Sequence, residues 1–193
     1  MVINIVSFFL ILIFYLSYIL KMLKQRKKGI KTNVMVKGKK EKKTKVIGTF
    51  LMFFTYFMAL VQFASCFLGK YLFPIELISG LRISGLVLIC LGDWFFITAF
   101  LTMKDSWRAG IDIEQKTSLV TTGIYKISRN PAFVGFDLIY IGSSLATCNV
   151  IIIILSLICI IIMHFQIKEE EKFLENEFKD EYLNYKKTVR RYL

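Results

Sequence analysis

The chain has 193 residues, 55% of them hydrophobic, with a mean hydropathy of +0.57 and a net charge of +12. This length matches one domain and this apolarity excludes a soluble one, because several uncharged runs approach the ~20 residues that cross a bilayer as helix. The positive charge does not point to nucleic acid: 12 of the 26 Lys and Arg residues lie in Lys21–Lys45, between two apolar runs, which is the pattern of a cytoplasmic membrane loop.

Val2–Leu20 is uncharged and ends in bulky Tyr15 and Tyr18 followed by lysines, so it reads as a retained first helix and not as a cleaved leader. Lys21–Lys45 reads as a flexible basic cytosolic loop with one acid, Glu41. Val46–Phe67 is the second span, Leu68–Glu76 a short outer connector, and Ile78–Leu101 the third span. The third span carries Arg82 near its outer end and Asp93 inside. A carboxyl at membrane depth belongs either to a pocket or to a pair within the bundle. Together these make residues 1–101 a three-helix scaffold, and residues 102–193 the remainder of a single membrane domain.

Thr102–Asn130 is polar and basic, hence cytosolic again. Between Asn130 and Ile167 the ionisable side chains are Asp137 and His164. That stretch is too long for one span, and Thr147-Cys148-Asn149 breaks it into a helical hairpin with arms of about 15 residues, each reaching ~22 Å against a ~30 Å hydrocarbon core. Tilted or partly inserted arms accommodate the shortfall. The hairpin puts the N-terminus outside, the C-terminus in the cytosol, and 24 of the 26 basic residues on the cytosolic side. The expected fold is therefore an all-α integral membrane protein of about five transmembrane helices. In the tail, Leu174, Phe178, Tyr182, Tyr185, Val189 and Tyr192 recur at helical spacing, which predicts an amphipathic cytosolic helix lying on the inner mouth of the bundle or on the membrane surface.

Chemistry has few places to sit. The four cysteines lie in apolar segments without a Cys-x-x-Cys pair and read as small core residues, and the lone His164 completes neither a zinc set nor a catalytic triad. Glycine-rich nucleotide loops and the Gly-x-Ser-x-Gly elbow do not occur. Unusual groups do concentrate on one side of the membrane: Ser106-Trp107-Arg108, then Ser118–Tyr125 leading into Arg129-Asn130-Pro131-Ala132-Phe133, then Glu169-Glu170-Glu171. Asn130-Pro131 also suits an ordinary helix start, Arg129 a snorkelling anchor and the acids a solvated helix turn.

The order Leu119-Val120-Thr121-Thr122-Gly123-Ile124-Tyr125, Arg129-Asn130-Pro131-Ala132-Phe133-Val134-Gly135, an apolar hairpin, and then Glu170-Glu171 with Phe178, Tyr182 and Tyr185 resembles the isoprenylcysteine carboxyl methyltransferase and phospholipid methyltransferase superfamily. The resemblance covers Ser106–Tyr185. It implies S-adenosylmethionine bound without a Rossmann domain, against Thr117, Ser118, Leu119, Val120, Tyr125, Asn130, Pro131, Ala132, Phe133, Glu170 and Glu171. It further implies Arg129 and Asn130 at the reacting centre, with Gln166, Trp107 and Arg108 toward the substrate. The acceptor it implies is lipophilic (a lipid, a prenylated-cysteine-like carboxylate, or a small thiol or amine) and enters from the surrounding membrane lipid. Methyl transfer from a sulfonium is an in-line displacement that needs alignment and water exclusion more than a general base. The chain departs from the pattern at Asn130 where the family has His, at Phe133 where it has Tyr, at Lys179 where it has Gly, and at Gln166 where the prenylcysteine enzymes place Arg. Two alternatives stay open at this point: an NADPH-dependent relative of the sterol reductases, and a non-catalytic membrane protein that keeps the fold.

Overall fold

The computed structural model describes residues 1–30, 32, 41–69, 71, 73–108 and 118–193. Five α-helices follow in order: α1 (Val2–Lys27), α2 (Lys42–Leu68), α3 (Ser79–Met103), α4 (Pro131–Thr147) and α5 (Val150–Thr188), with short 3-10 turns at Lys104–Ser106 and Gly123–Lys126. Helices α1, α2, α3 and α5 are long and apolar enough to cross a membrane, and α4 is a shorter apolar helix of 17 residues. The chain is an all-α integral membrane protein.

The apolar runs set where the helices lie, and the polar ends extend them. α1 continues through Lys27 and α2 begins at Lys42, so the basic stretch Lys21–Lys45, expected to be a loop, is helical at both ends. α1 stops where Gly29 follows Lys28 at φ 75°, the left-handed residue that ends many helices, and no Gly or Pro interrupts the lysines before it. Lys28 pairs with Asp105 at 2.8 Å, while Lys43 and Thr44 hold Glu169 at 3.0 and 2.8 Å. These contacts gather the C-terminal ends of α1 and α3, the start of α2 and the charged stretch of α5 at one end of the bundle, termed its inner end.

The hairpin turns at the expected residues. Cys148 takes a left-handed conformation (φ 53°), and the Asn149 side chain accepts from Ile151 N and Ile152 N at 2.9 and 3.4 Å to start α5. The second arm differs from expectation, as it does not stop near Ile167. α5 runs on through the acidic triplet because Lys168–Phe178 contains only residues that a helix accepts, and the independent tail helix is reduced to the short segment after Lys179. There the backbone turns sharply, with Lys179 at φ 45° and ψ −121°. Tyr182 and Tyr185, beyond the turn, are buried against the bundle.

Close packing of α3 on α4 makes the short fourth helix possible. Gly85 faces Gly142 and Gly92 faces Gly135: a Cβ added at Gly92 would lie 2.7 Å from Gly135 O, and one added at Gly142 would lie 2.6 Å from Gly85 O. In lipid, where apolar burial does not drive helices together, such backbone approach supplies the dispersion contact that does. Arg82 caps the far end of α4, donating to Ala146 O from Nε at 3.1 Å and from Nη2 at 2.9 Å and to Asn4 Oδ1 at 2.7 Å. Asp93 is buried and does not line the cavity described below.

The turn at Lys179 yields a direct test. A side chain at this positive φ costs roughly 1–3 kcal/mol, which glycine would not incur. Lys179→Gly is expected to raise the thermal midpoint of the detergent-solubilised protein by an amount worth about 1 kcal/mol, as read by a melting curve.

Candidate functional site

The polar site grows from one buried carboxylate. Glu171 sits on the inner stretch of α5, where its side chain is only 4% exposed. Arg129, just before α4, donates to Glu171 Oε1 from Nη2 at 2.8 Å and from Nε at 3.2 Å, and Arg191 donates to Oε2 from Nη2 at 2.7 Å and from Nε at 3.0 Å. Asn130 Nδ2 adds a contact to Oε1 at 3.3 Å. Two guanidiniums thus flank one carboxylate, each aiming two N–H groups at one of its oxygens, an arrangement that makes a buried charge tolerable. The hydrogen bonds of Glu171 also hold the Arg191 guanidinium's pKa above its ordinary value.

The same residues fasten the end of the chain. Arg129 Nη1 donates to Val189 O at 2.6 Å and Arg129 N to Arg190 O at 2.9 Å. Asn130 Nδ2 and Ser128 Oγ both donate to Arg191 O, at 3.1 and 3.2 Å. Tyr185 OH reaches Tyr125 O at 2.6 Å, and Tyr192 OH lies 2.7 Å from His164 Nδ1. Asn130 does occupy the N-cap position with Pro131 first in the helix, but its side chain serves the tail and Glu171 instead of capping. Residues 188–193 are a strap laid across the inner ends of α4 and α5.

Beside this clamp lies a cavity of about 390 Å³. Trp107, Arg108, Ala132, Phe133 and Glu170 line its inner end, and Phe14, Tyr15, Phe63 and Phe136 its deeper wall. Gln166, 1% exposed and one helical turn before Glu170, donates to Glu170 Oε1 at 2.9 Å from Nε2. Gln166 Oε1 is buried and has no hydrogen-bond partner among the described residues. Ile19 and Tyr56 belong both to the cavity wall and to the exposed outer surface (47% and 61% exposed), so the cavity reaches the flank of the bundle between α1 and α2.

The expected site residues therefore fall into groups. Trp107, Arg108, Ala132, Phe133 and Glu170 share the cavity. Arg129, Asn130 and Glu171 hold one another and the strap, and Pro131 begins α4 beside them. Tyr125 packs with Ile124 on Ala99, with Val120 and Ala132 against the same small cluster, and burial pushes its phenol well above the ordinary range. Ser118 is exposed with its Oγ 3.3 Å from Ser106 Oγ, and Leu119 is half-buried. Thr117 lies outside the described residues. Two contributors escaped the sequence reading. Arg191 looks like one more basic residue at a helix end, and the aromatic residues of α1 and α2 look the same whether they face lipid or a cavity.

Comparison with known proteins gives a consistent picture. A family model described as phospholipid methyltransferase matches residues 81–181. The chain is 33% identical over 110 residues to protein-S-isoprenylcysteine O-methyltransferase B of Arabidopsis thaliana, covering 54% of this chain and 55% of that one. It is 31% identical over 115 residues to the Xenopus laevis protein-S-isoprenylcysteine O-methyltransferase, covering 58% and 40%. The Saccharomyces cerevisiae protein of the same name is 30% identical over 149 residues, covering 69% and 61%. The matches thus span about half the length of these relatives.

Removing one member of a buried ion cluster leaves its partners uncompensated, at a cost of roughly 3–5 kcal/mol. Glu171→Gln is expected to lower the melting midpoint and to release the strap, so that limited proteolysis trims residues 188–193 from the variant well before the native protein.

Proposed function

Because the chain belongs to the phospholipid methyltransferase family, whose model matches residues 81–181, we propose that it is an integral membrane methyltransferase. It moves a methyl group from S-adenosylmethionine to a lipophilic acceptor. One observation carries this reading. A cavity with apolar walls at membrane depth and an opening on the bundle flank ends at a carboxylate, Glu170, and a guanidinium, Arg108. The printed names of the similar proteins support an acceptor like a prenylated cysteine, while Gln166, in the place of an arginine, favours no particular acid headgroup.

The residues present fit the cofactor. Glu170 offers an acceptor carboxylate to hydroxyl or ammonium groups, and Gln166, expected toward the substrate, is buried one turn behind it and off the cavity lining. Trp107 and Phe133 offer flat apolar faces of the kind that suit a purine. When bound, S-adenosylmethionine supplies an electrophilic methyl on a sulfonium centre. The chain's own work is to hold, align and dry the site. Gln166 orients Glu170 through its amide. Arg108 sets a positive charge at the inner end, suited to an anionic acceptor group. Trp107, Ala132 and Phe133 exclude water from the line of transfer.

Arg129 and Asn130, expected at the reacting centre, take positioning roles in this reading. Their hydrogen-bonding groups are committed to Glu171 and to the strap carbonyls, and through them they fix the start of α4, which carries Ala132 and Phe133 into the cavity wall. Asn130 does this with one amide, which explains how Asn can stand where the pattern has His. The same-end placement of the basic segments supports an outside N-terminus and a cytosolic site and C-terminus.

The test is cofactor binding by the purified protein. S-adenosylmethionine is expected to bind, and Glu170→Ala to weaken it by at least about tenfold, the loss of one charge-assisted hydrogen bond. Unchanged binding in that variant sinks the assignment of Glu170. Binding of NADPH in place of S-adenosylmethionine moves the protein to the reductase reading.

A further inference from the structure

The cavity has a floor. α2 contributes wall residues from Leu51 to Phe63, and at about 1.5 Å per residue this carries the cavity roughly 18 Å from its inner end toward the middle of the bundle. Its last wall residues there, Tyr15 and Phe63, are backed by a hydrogen-bonded cross-tie. Tyr15 OH on α1 donates to Gln62 Oε1 on α2 at 2.6 Å, Gln62 Nε2 donates to Ser143 Oγ on α4 at 2.9 Å, and Ser143 Oγ donates on to Tyr140 O at 3.0 Å. Gln62 and Ser143 are fully buried. The Tyr15 ring also rests on Phe63, with centroids 5.6 Å apart, and Phe63 on Phe8 at 5.5 Å, so aromatic rings close the space around the tie.

We propose that this Tyr15–Gln62–Ser143 tie is the length gauge of the acceptor site: it ends the channel for the acceptor's apolar tail and so sets the longest tail the enzyme admits. The inference rests on the lipophilic-acceptor reading above. Its physical basis is specific to the floor. A tail drawn from lipid gains little from apolar burial as such, since both surroundings are apolar, so tails that fit should bind about equally. A tail that runs along the cavity past the flank opening and is too long for the space beyond must open a chain of buried hydrogen bonds, which lipid cannot replace, or overpack a ring cluster. The gauge therefore acts as a cut-off and not as a gradual preference. The floor is also held from three helices at once, so it does not yield by moving one side chain.

Trp107 at the inner end of the cavity provides the readout. The other tryptophan, Trp94, is exposed and is removed as Trp94→Phe. The full chain in lipid nanodiscs is titrated with 2-bromoalkanoates of about 8 to about 20 carbons, whose bromine stays near the headgroup and quenches Trp107 whatever the tail length. Quenching is expected with near-constant affinity up to one length and with a loss of roughly tenfold beyond it. Tyr15→Ala should move that cut-off to tails about two or more carbons longer, and Phe63→Ala should do the same if the first variant folds poorly. Tyr15→Phe keeps the ring but removes the hydrogen bond to Gln62, so it should leave the position of the cut-off within a carbon or so while softening it, with a smaller loss of affinity beyond that length than in the native protein. A cut-off unmoved in both alanine variants, or quenching that ignores tail length, overturns the gauge. The readout is binding without any cofactor, so it stands apart from methyl transfer: quenching at no length at all would reject the lipophilic acceptor itself.

Discussion

The structure depends on the neutralisation of Glu171. A carboxylate buried at the inner edge of a membrane bundle is tolerable only if cations reach both its oxygens. Here one cation comes from before α4 and the other from the last residues of the chain. Satisfying that charge folds the tail back, holds residues 188–193 across the helix ends, and fixes where α4 starts. The neighbouring residue, Glu170, is thereby left to the cavity. Two adjacent acids on one helix thus have different surroundings, one held in the ion cluster and one on the cavity wall, because successive side chains of a helix point about 100° apart.

The second constraint is the membrane itself. Without a hydrophobic force between helices, the bundle relies on the glycine pairs of α3 and α4, on Arg82 over the end of α4, and on the Tyr15–Gln62–Ser143 tie. These leave α1 and α2 separated enough at their inner halves for a cavity that opens on the lipid side. Glu169, held by Lys43 and Thr44, keeps α2 against α5 at the same level. The cavity is therefore a product of uneven packing, tight around α3 and α4 and tied only at intervals elsewhere.

Much of the fold was legible in residues. Uncharged runs located the helices, and Asn149, a capping residue between two apolar segments, located the hairpin turn. The continuity of α5 was less legible, because the change from apolar to charged composition at Lys168 marks a change of surroundings and not of backbone. The true break, Lys179, carries no glycine to announce it. At the site, five of the residues that the family pattern implied share the cavity. The pattern did not separate Glu170 from Glu171, since their roles depend on which side of α5 meets Arg191, a residue far along the chain. The contribution of Tyr15, Tyr18 and Phe63 was hidden because an aromatic side chain in an apolar run carries no mark of what it faces.

The decisive measurement is incubation of the full chain, in membranes of its own expression host, with methyl-labelled S-adenosylmethionine, followed by separation of the products by solvent extraction. Label is expected in an organic-extractable lipid or lipid-modified species, and much less of it at the same cofactor concentration when Glu170 is replaced by Ala. Label confined to water-soluble products, or no transfer from a cofactor shown to be bound, would contradict this reading.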